Sequence, residues 1–177
     1  MIKIITWITK IIVLVITALF FSGCHFDYNS KKGSGNITTE TRTLTKKFTG
    51  VDVSSAIELT IEQSDKTEIL VEADDNLQSS IITEVKNGRL IISSEPYLNI
   101  RNGTRKVKVT MPTIENLEAS SASSIHSLNT IKGNQIYIKA SSAAQINLDL
   151  EMESINCKSY NALNFSSTFN SFVAIFL

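Results

Sequence analysis

Residues whose types could do chemistry are few and scattered. The 177-residue chain has two histidines, His25 and His126, and two cysteines, Cys24 and Cys157. Neither histidine has a His or Cys neighbour at ligand spacing, so zinc chemistry is not indicated. No nucleophile elbow surrounds any of the many serines, so a Ser-His-Asp arrangement built on His126 has no local support. Glu72-Ala-Asp74-Asp75-Asn76 gathers oxygen ligands of the kind calcium takes, yet it lacks the alternate spacing and central glycine of a calcium loop. An Asp or Asn capping a short helix at "NLQSSI" is the simpler expectation there. Asp149, Glu151 and Glu153 are the other acidic group, and paired carboxylates are what a glycan-cleaving enzyme requires. One repeat earlier the equivalents are Leu128 and Thr130, and one repeat later Thr168, so no acidic cluster recurs. No catalytic residue, metal ligand or cofactor is therefore expected. Arg101, Arg105, Lys106 and Lys108 form a basic patch that reads as a solvated strand face discouraging edge pairing, or as a contact for anionic lipid or glycan.

The chemistry the chain does advertise is at its N-terminus. Lys3 and Lys10 precede an apolar run from Ile11 to Phe21, and Ser22, Gly23 and Cys24 follow. This is the pattern of a secretory signal. Phe21-Ser22-Gly23-Cys24 resembles a bacterial lipobox, with phenylalanine where leucine is usual. The resemblance implies cleavage between Gly23 and Cys24, lipidation of Cys24, and a membrane attachment through that lipid. Residues 1–23 are then a signal peptide, 24–45 a lipidated cysteine with a flexible tether, and 46–177 the folded domain. Without Lys3 and Lys10, fifteen basic side chains face seventeen acidic ones, a formal charge of −2, which leaves no footprint for nucleic acid. With Cys24 acylated, Cys157 has no intrachain partner, so burial and hydrogen bonds must hold the fold.

The elements that would carry any site are strands. Val51 and Val53, then Ile57, Leu59 and Ile61, then Ile69, Val71 and Ala73 alternate with polar residues at the period of half-buried strands. Asn87-Gly88 is the preferred pair for a two-residue hairpin turn, which sets Val85 opposite Leu90 and Thr83 opposite Ile92. Val107, Val109 and Met111 make a further strand, stopped by Pro112. Beyond it a pattern recurs: Ala119-x-x-Ala122-x-x-Ile125, Ala140-x-x-Ala143-x-x-Ile146 and Ser159-x-x-Ala162-x-x-Phe165, spaced by 21 and 19 residues. "VSSAIEL" at 53–59 is an earlier, looser copy. A repeat of this length made of strands alone predicts a β-solenoid. Stacked windings would make Ala119, Ala122, Ala140, Ala143, Ser159 and Ala162 an inward-facing corner ladder, with small side chains allowing a sharp bend and hydroxyls serving stranded backbone groups.

The ordered segments "FTGVDVSSAIELTI", "VEADDNLQSSIITEVKNGRLIIS", "VKVTMP" and "NLEASSASSI" together resemble the Bacteroidetes putative auto-transporter adhesin, head GIN domain family, over about Phe48 to Phe165. The resemblance implies an all-β, right-handed, parallel β-helix-like domain at the cell envelope or surface, anchored to the outer membrane, with an N-terminal β-rich portion that includes the hairpin. It supplies no catalytic residues. Three functions stay open: an adhesin-like interaction module for an extracellular glycan or protein, a polysaccharide lyase or hydrolase, and a structural envelope protein. Oligomeric state has no signature in the sequence. The apolar tail from Phe172 to Leu177 would either fold back over the last winding as a lid or mark a truncated form with an open strand edge.

Overall fold

The computed structural model describes the backbone of residues 2–21, 30–161, 164–169 and 174–176, and the side chains of residues 4–16 and 30–161. A helix, α1 (Ile2–Phe21), precedes fifteen strands: β1 (Ser30–Lys32), β2 (Ile37–Thr41), β3 (Gly50–Val53), β4 (Glu58–Gln63), β5 (Glu68–Asp74), β6 (Ile81–Lys86), β7 (Arg89–Ser94), β8 (Asn99–Arg101), β9 (Arg105–Met111), β10 (Asn116–Ala119), β11 (Ser124–Ser127), β12 (Ile131–Ser141), β13 (Gln145–Tyr160), β14 (Asn164–Phe169) and β15 (Ala174–Phe176). Among the described residues no helix is long and apolar enough to cross a membrane.

Apart from β1 and β8, the strands form one curled sheet, a half-barrel whose eleven-strand path runs β2-β5-β9-β4-β11-β13-β12-β10-β3-β7-β6. The curl follows from the length of β13. Its first part continues the row β9-β4-β11, and its last part continues the row β7-β3-β10-β12. Along each row the pairing is parallel, and identical positions fall opposite one another. Leu90, Val51, Leu117, Ile138 and Cys157 make one file, and Val107, Leu59, Ile125 and Ile146 another. All except Cys157, at 8%, are at most 1% exposed. Each buried Leu, Ile or Val contributes on the order of 2 kcal/mol before chain entropy is charged against it. The two rows face each other across this core.

Among the described residues three pairings are antiparallel: β2 with β5, β5 with β9, and β6 with β7. The N-terminal half is therefore a mixed sheet rather than a run of uniform windings. The cause is local in β6–β7: Asn87 at φ 51° and Gly88 at φ 73° close a two-residue turn that can only reverse the chain. Val85 faces Leu90 and Thr83 faces Ile92, as the turn dictates.

Within residues 30–41, expected to lie in a flexible tether, residues 30–32 and 37–41 instead form strands. β1 pairs with β8 in a separate two-stranded sheet, and β2 joins the edge of β5. At the other end β15 pairs in parallel with Ile155–Cys157, so the backbone of residues 174–176 extends the ladder by one more strand.

Candidate functional site

The repeat forms the bends that link the two rows, and the structure redistributes the roles expected of its small residues. Val53, Ala119, Ala140 and Ser159 are successive partners in one file, and Ala119 and Ala140 are each 1% exposed. Ala122 is exposed and Ala143 half-buried, so neither lines the interior. Both are left-handed, at φ 59° and 64°, and the preceding Ser121 and Ser142 are too, at 52° and 51°. Ser55 and Ala56 repeat this at 66° and 54°. Hydrogen bonds from Ser123 N–H to the Ser120 carbonyl (3.1 Å) and from Ala144 N–H to that of Ser141 (3.1 Å) close the bends as type I′ turns. Ser123 and Ala144 are the inward residues of each bend. The Ser123 hydroxyl serves the backbone as expected, donating to the carbonyl oxygens of Ser120 (2.7 Å) or Val53 (3.0 Å). Cys24, Gly23, His25 and Ala162 lie outside the described residues.

On the outside of the row β7-β3-β10-β12-β13, alternation builds charged and amide files. Asp52, Glu118, Lys139 and Lys158 are successive partners, as are Gly50, Asn116, Tyr137 and Asn156. Gly50 is small for a reason: a Cβ there would meet Arg89 Cγ and Asn116 Cβ at 3.0 Å. Over this gap Arg89 reaches across β3 to pair with Glu118, which also takes Lys139 at 3.4 Å. Burial, and next the Glu118 carboxylate, push Asp52 above the ordinary carboxylate range, with Arg89 and Lys139 partly offsetting this. Lys158 lies 5.8 Å from the centre of the Tyr137 ring. Asn116 Oδ1 and Asn156 Oδ1, flanking that tyrosine in register, are buried with no hydrogen-bond partner.

Tyr137 also belongs to a groove of about 640 Å³ whose lining includes Pro112, Glu115, Lys132, Asn134 and Gln135. The groove lies where the chain returns from one row to the other. Gln63 fixes its floor: the Asn129 side-chain amide pairs with the Gln63 backbone (3.0 and 2.9 Å), and the Gln63 side-chain amide pairs with the Lys132 backbone (2.7 and 2.9 Å). Glu115, Asn134 and Gln135 are exposed around it. The arrangement offers donors and acceptors to a polar ligand but no paired acid and base.

Asp74 and Asp75 have a different role from the cap expected of them. Asp74 is 2% exposed, caps nothing, and accepts the N–H groups of Gly35 (2.6 Å) and Thr104 (2.6 Å). Asp75 accepts the Ser34 hydroxyl (2.5 Å) and the Asn36 amide (2.9 Å), and these bonds lower its pKa. Asp149 is exposed, its N–H donating to Ser127 Oγ (2.8 Å), and Glu151 pairs with Lys132 (2.7 Å). Among the described residues no group of three His, Cys, Asp or Glu could hold a metal ion. Burial pushes the Cys157 thiol up. The basic patch is divided. Lys108 pairs with Glu62 at 2.8 Å, Lys106 sits in register between Glu58 and Glu72, and Arg101 is on β8. Since β9 lies between β4 and β5, these lysines protect no sheet edge. The groove and the Arg89 crossing were invisible to sequence reasoning. Gly50 inside an alternating strand was the one available signal for the crossing.

Solved structures share this fold. A "putative adhesin" from Parabacteroides merdae aligns with TM-score 0.70 at 19% identity, covering 78% of this chain and 59% of its own. One from Bacteroides fragilis gives 0.69 at 20%, covering 75% and 62%. A "putative lipid binding protein" from Parabacteroides distasonis gives 0.62 at 22%, covering 78% and 65%. The chain thus spans roughly three-fifths of the length of these relatives. No curated protein matches it. The family described as "Putative auto-transporter adhesin, head GIN domain" matches residues 47–169, and the chain belongs to it.

Proposed function

We propose that the chain is a non-enzymatic, envelope-anchored adhesin-like module that binds an extracellular glycan. In this reading the parallel files are windings of a short right-handed β-solenoid, cleavage between Gly23 and Cys24 frees Cys24 for lipidation, and the lipid tethers the domain to the outer membrane. The observation that carries the ligand class is the groove: amide and carboxylate side chains at Glu115, Asn134 and Gln135 beside one tyrosine ring suit a polyhydroxylated partner. The strand register beneath them supplies rigidity, so little ordering is needed on binding. The family and the Parabacteroides merdae and Bacteroides fragilis neighbours are named for adhesion and the Parabacteroides distasonis neighbour for lipid binding, none of them for catalysis, which supports the non-enzyme reading.

The test is to titrate the full chain against pectic and host glycans. Glu115→Ala and Asn134→Ala should each weaken binding about tenfold, the worth of one or two hydrogen bonds. Unchanged affinity in both would overturn the groove, and turnover lost in Asp149→Asn would overturn the non-enzyme reading. For the anchor, Cys24→Ala should abolish labelling by radioactive palmitate and release the protein from membranes.

A further inference from the structure

Arg105 opens β9 on the side that faces the core. Its register partner Ala73 and the next residue of like parity, Val107, are both buried, and alternation puts the arginine on their side, where the core ends. There it lines a cavity of about 450 Å³ together with Ser55, Glu95, Tyr97 and Asn99.

The protein leaves this guanidinium poorly served. Of its five N–H groups one donates, to the Ser55 carbonyl at 3.3 Å, and Nε is buried with no partner. Burial pushes its pKa down, and no carboxylate is among the causes. The acidic groups on the elements around it are otherwise engaged or face away. Asp74 spends its oxygens on the N–H groups of Gly35 and Thr104. Glu58 and Glu72 are register partners of Lys106, on the opposite face of the strands. Glu95 is exposed in the cavity lining and makes no ion pair among the described residues. A cation that has lost water without gaining acceptors costs free energy, and a bound anion removes that cost.

Tyr97 gives the same cavity an aromatic wall. It is 90% exposed and left-handed, at φ 62°, in the third position of a turn closed by Leu98 N–H to the Glu95 carbonyl (3.3 Å). A type II turn of this kind, with Pro96 second, favours glycine there, because a bulky residue strains the backbone. Strain kept at an exposed ring marks a site of use, and a flat ring open to water suits the apolar face of a sugar.

We infer that this cavity binds an acidic sugar, a hexuronate whose carboxylate accepts from Arg105 while its ring lies on Tyr97 and its hydroxyls donate to Glu95 and Asn99. Glu95 then acts as a selector, since a hydroxyl can donate to it whereas a second acidic group on the ligand is repelled. The site is not the groove. Strand β9 runs from Arg105 to Met111, which precedes the groove residue Pro112, a span of roughly 20 Å. The two share only the reading that the partner is a glycan.

The test titrates the full chain, by calorimetry, with oligogalacturonate and with the same oligosaccharide methyl-esterified. The acid should bind at least about tenfold more tightly than the ester, the worth of a charge-assisted hydrogen bond. Arg105→Gln should bring the acid down to the level of the ester. Tyr97→Gly, at a position where glycine relieves the strain, should weaken both about tenfold. Equal affinity for acid and ester, an acid preference that survives Arg105→Gln, or unaltered affinity in Tyr97→Gly overturns the site. Acetate binding as tightly as the oligosaccharide overturns its assignment to a sugar. Loss of the acid preference in Glu115→Ala, with Arg105→Gln keeping it, places the acid in the groove and overturns this site. Neutral glycans that depend on Glu115, with no preference for the acid, leave the groove standing while this site falls.

Discussion

At the residue scale, the serines and alanines of the repeat split into two classes that composition alone does not separate. Ala119 and Ala140 are extended and packed in a file, while Ala122 and Ala143 carry a left-handed backbone at the surface. A Cβ in that conformation costs roughly 1–2 kcal/mol, partly offset by the extra freedom a glycine has when unfolded. Ala122→Gly and Ala143→Gly should each raise stability by about 0.5–1 kcal/mol, read as a higher urea midpoint at constant slope, and Ala140→Gly should lower it. The opposite ordering would mean the bends are built differently. Asp52 makes a second residue-level case. Its folded pKa is raised, so the folded state binds its proton more readily than the unfolded chain does. The penalty is fully present above the folded value and disappears as pH falls below the ordinary carboxylate range. Asp52→Asn should be neutral to stabilising at pH 7, by less than about 1 kcal/mol given the screening at a half-exposed site, and should remove that part of the pH dependence.

At the element scale, what was legible depended on how far the partner lay along the chain. The hairpin was readable because Asn87 and Gly88 are adjacent and their turn fixes the register. The period-two strands were readable because Val51, Leu59 and Val107 need only face inward. Segment 30–41 was not, since its polar composition resembles a linker and the groups that order it, Asp74, Asp75 and Asn76, are about forty residues away in sequence. The groove was illegible for the same reason, as Gln63 meets Lys132 only once the distant strands pair. The clamp carries a pH signature. Hydrogen bonds depress the Asp75 pKa, so its contribution is present above the ordinary carboxylate value and lost as pH falls through the lower folded one. Amide protection of residues 34–36 should therefore collapse in acid before the rest of the sheet, and Asp75→Asn should abolish the difference. Gly50→Ala, by crowding Arg89 and Asn116, should cost about 1–3 kcal/mol and break the bridge to Glu118. A chemical shift of the Arg89 side chain identical to wild type would contradict it.

At the scale of the whole molecule, a half-barrel and a stack of windings differ in how unfolding should spread. A half-barrel with one shared core loses that core as a unit, whereas a stack of windings is coupled mainly through nearest neighbours. Ile125 is fully buried between Leu59 and Ile146 in register, midway along the stack. Ile155, 3% exposed, pairs with Ile136 on one side and with the short β15 on the other. Ile125→Ala should cost about 2–5 kcal/mol, the loss of a buried side chain plus the cavity left behind. Because its strand β11 pairs with β4 on one side and β13 on the other, native-state hydrogen exchange should show protection falling in both β4 and β13. Ile155→Ala removes similar apolar volume near the end of the stack, where opening exposes only the adjacent strands. Its effect should be confined to β12, β13 and β15, with β4 and β9 keeping the protection of the unaltered chain. Uniform loss of protection from both substitutions would favour the half-barrel as a single cooperative core. A graded loss would mean that the register of Ala119, Ala140 and Ser159 also governs how stability passes along the chain.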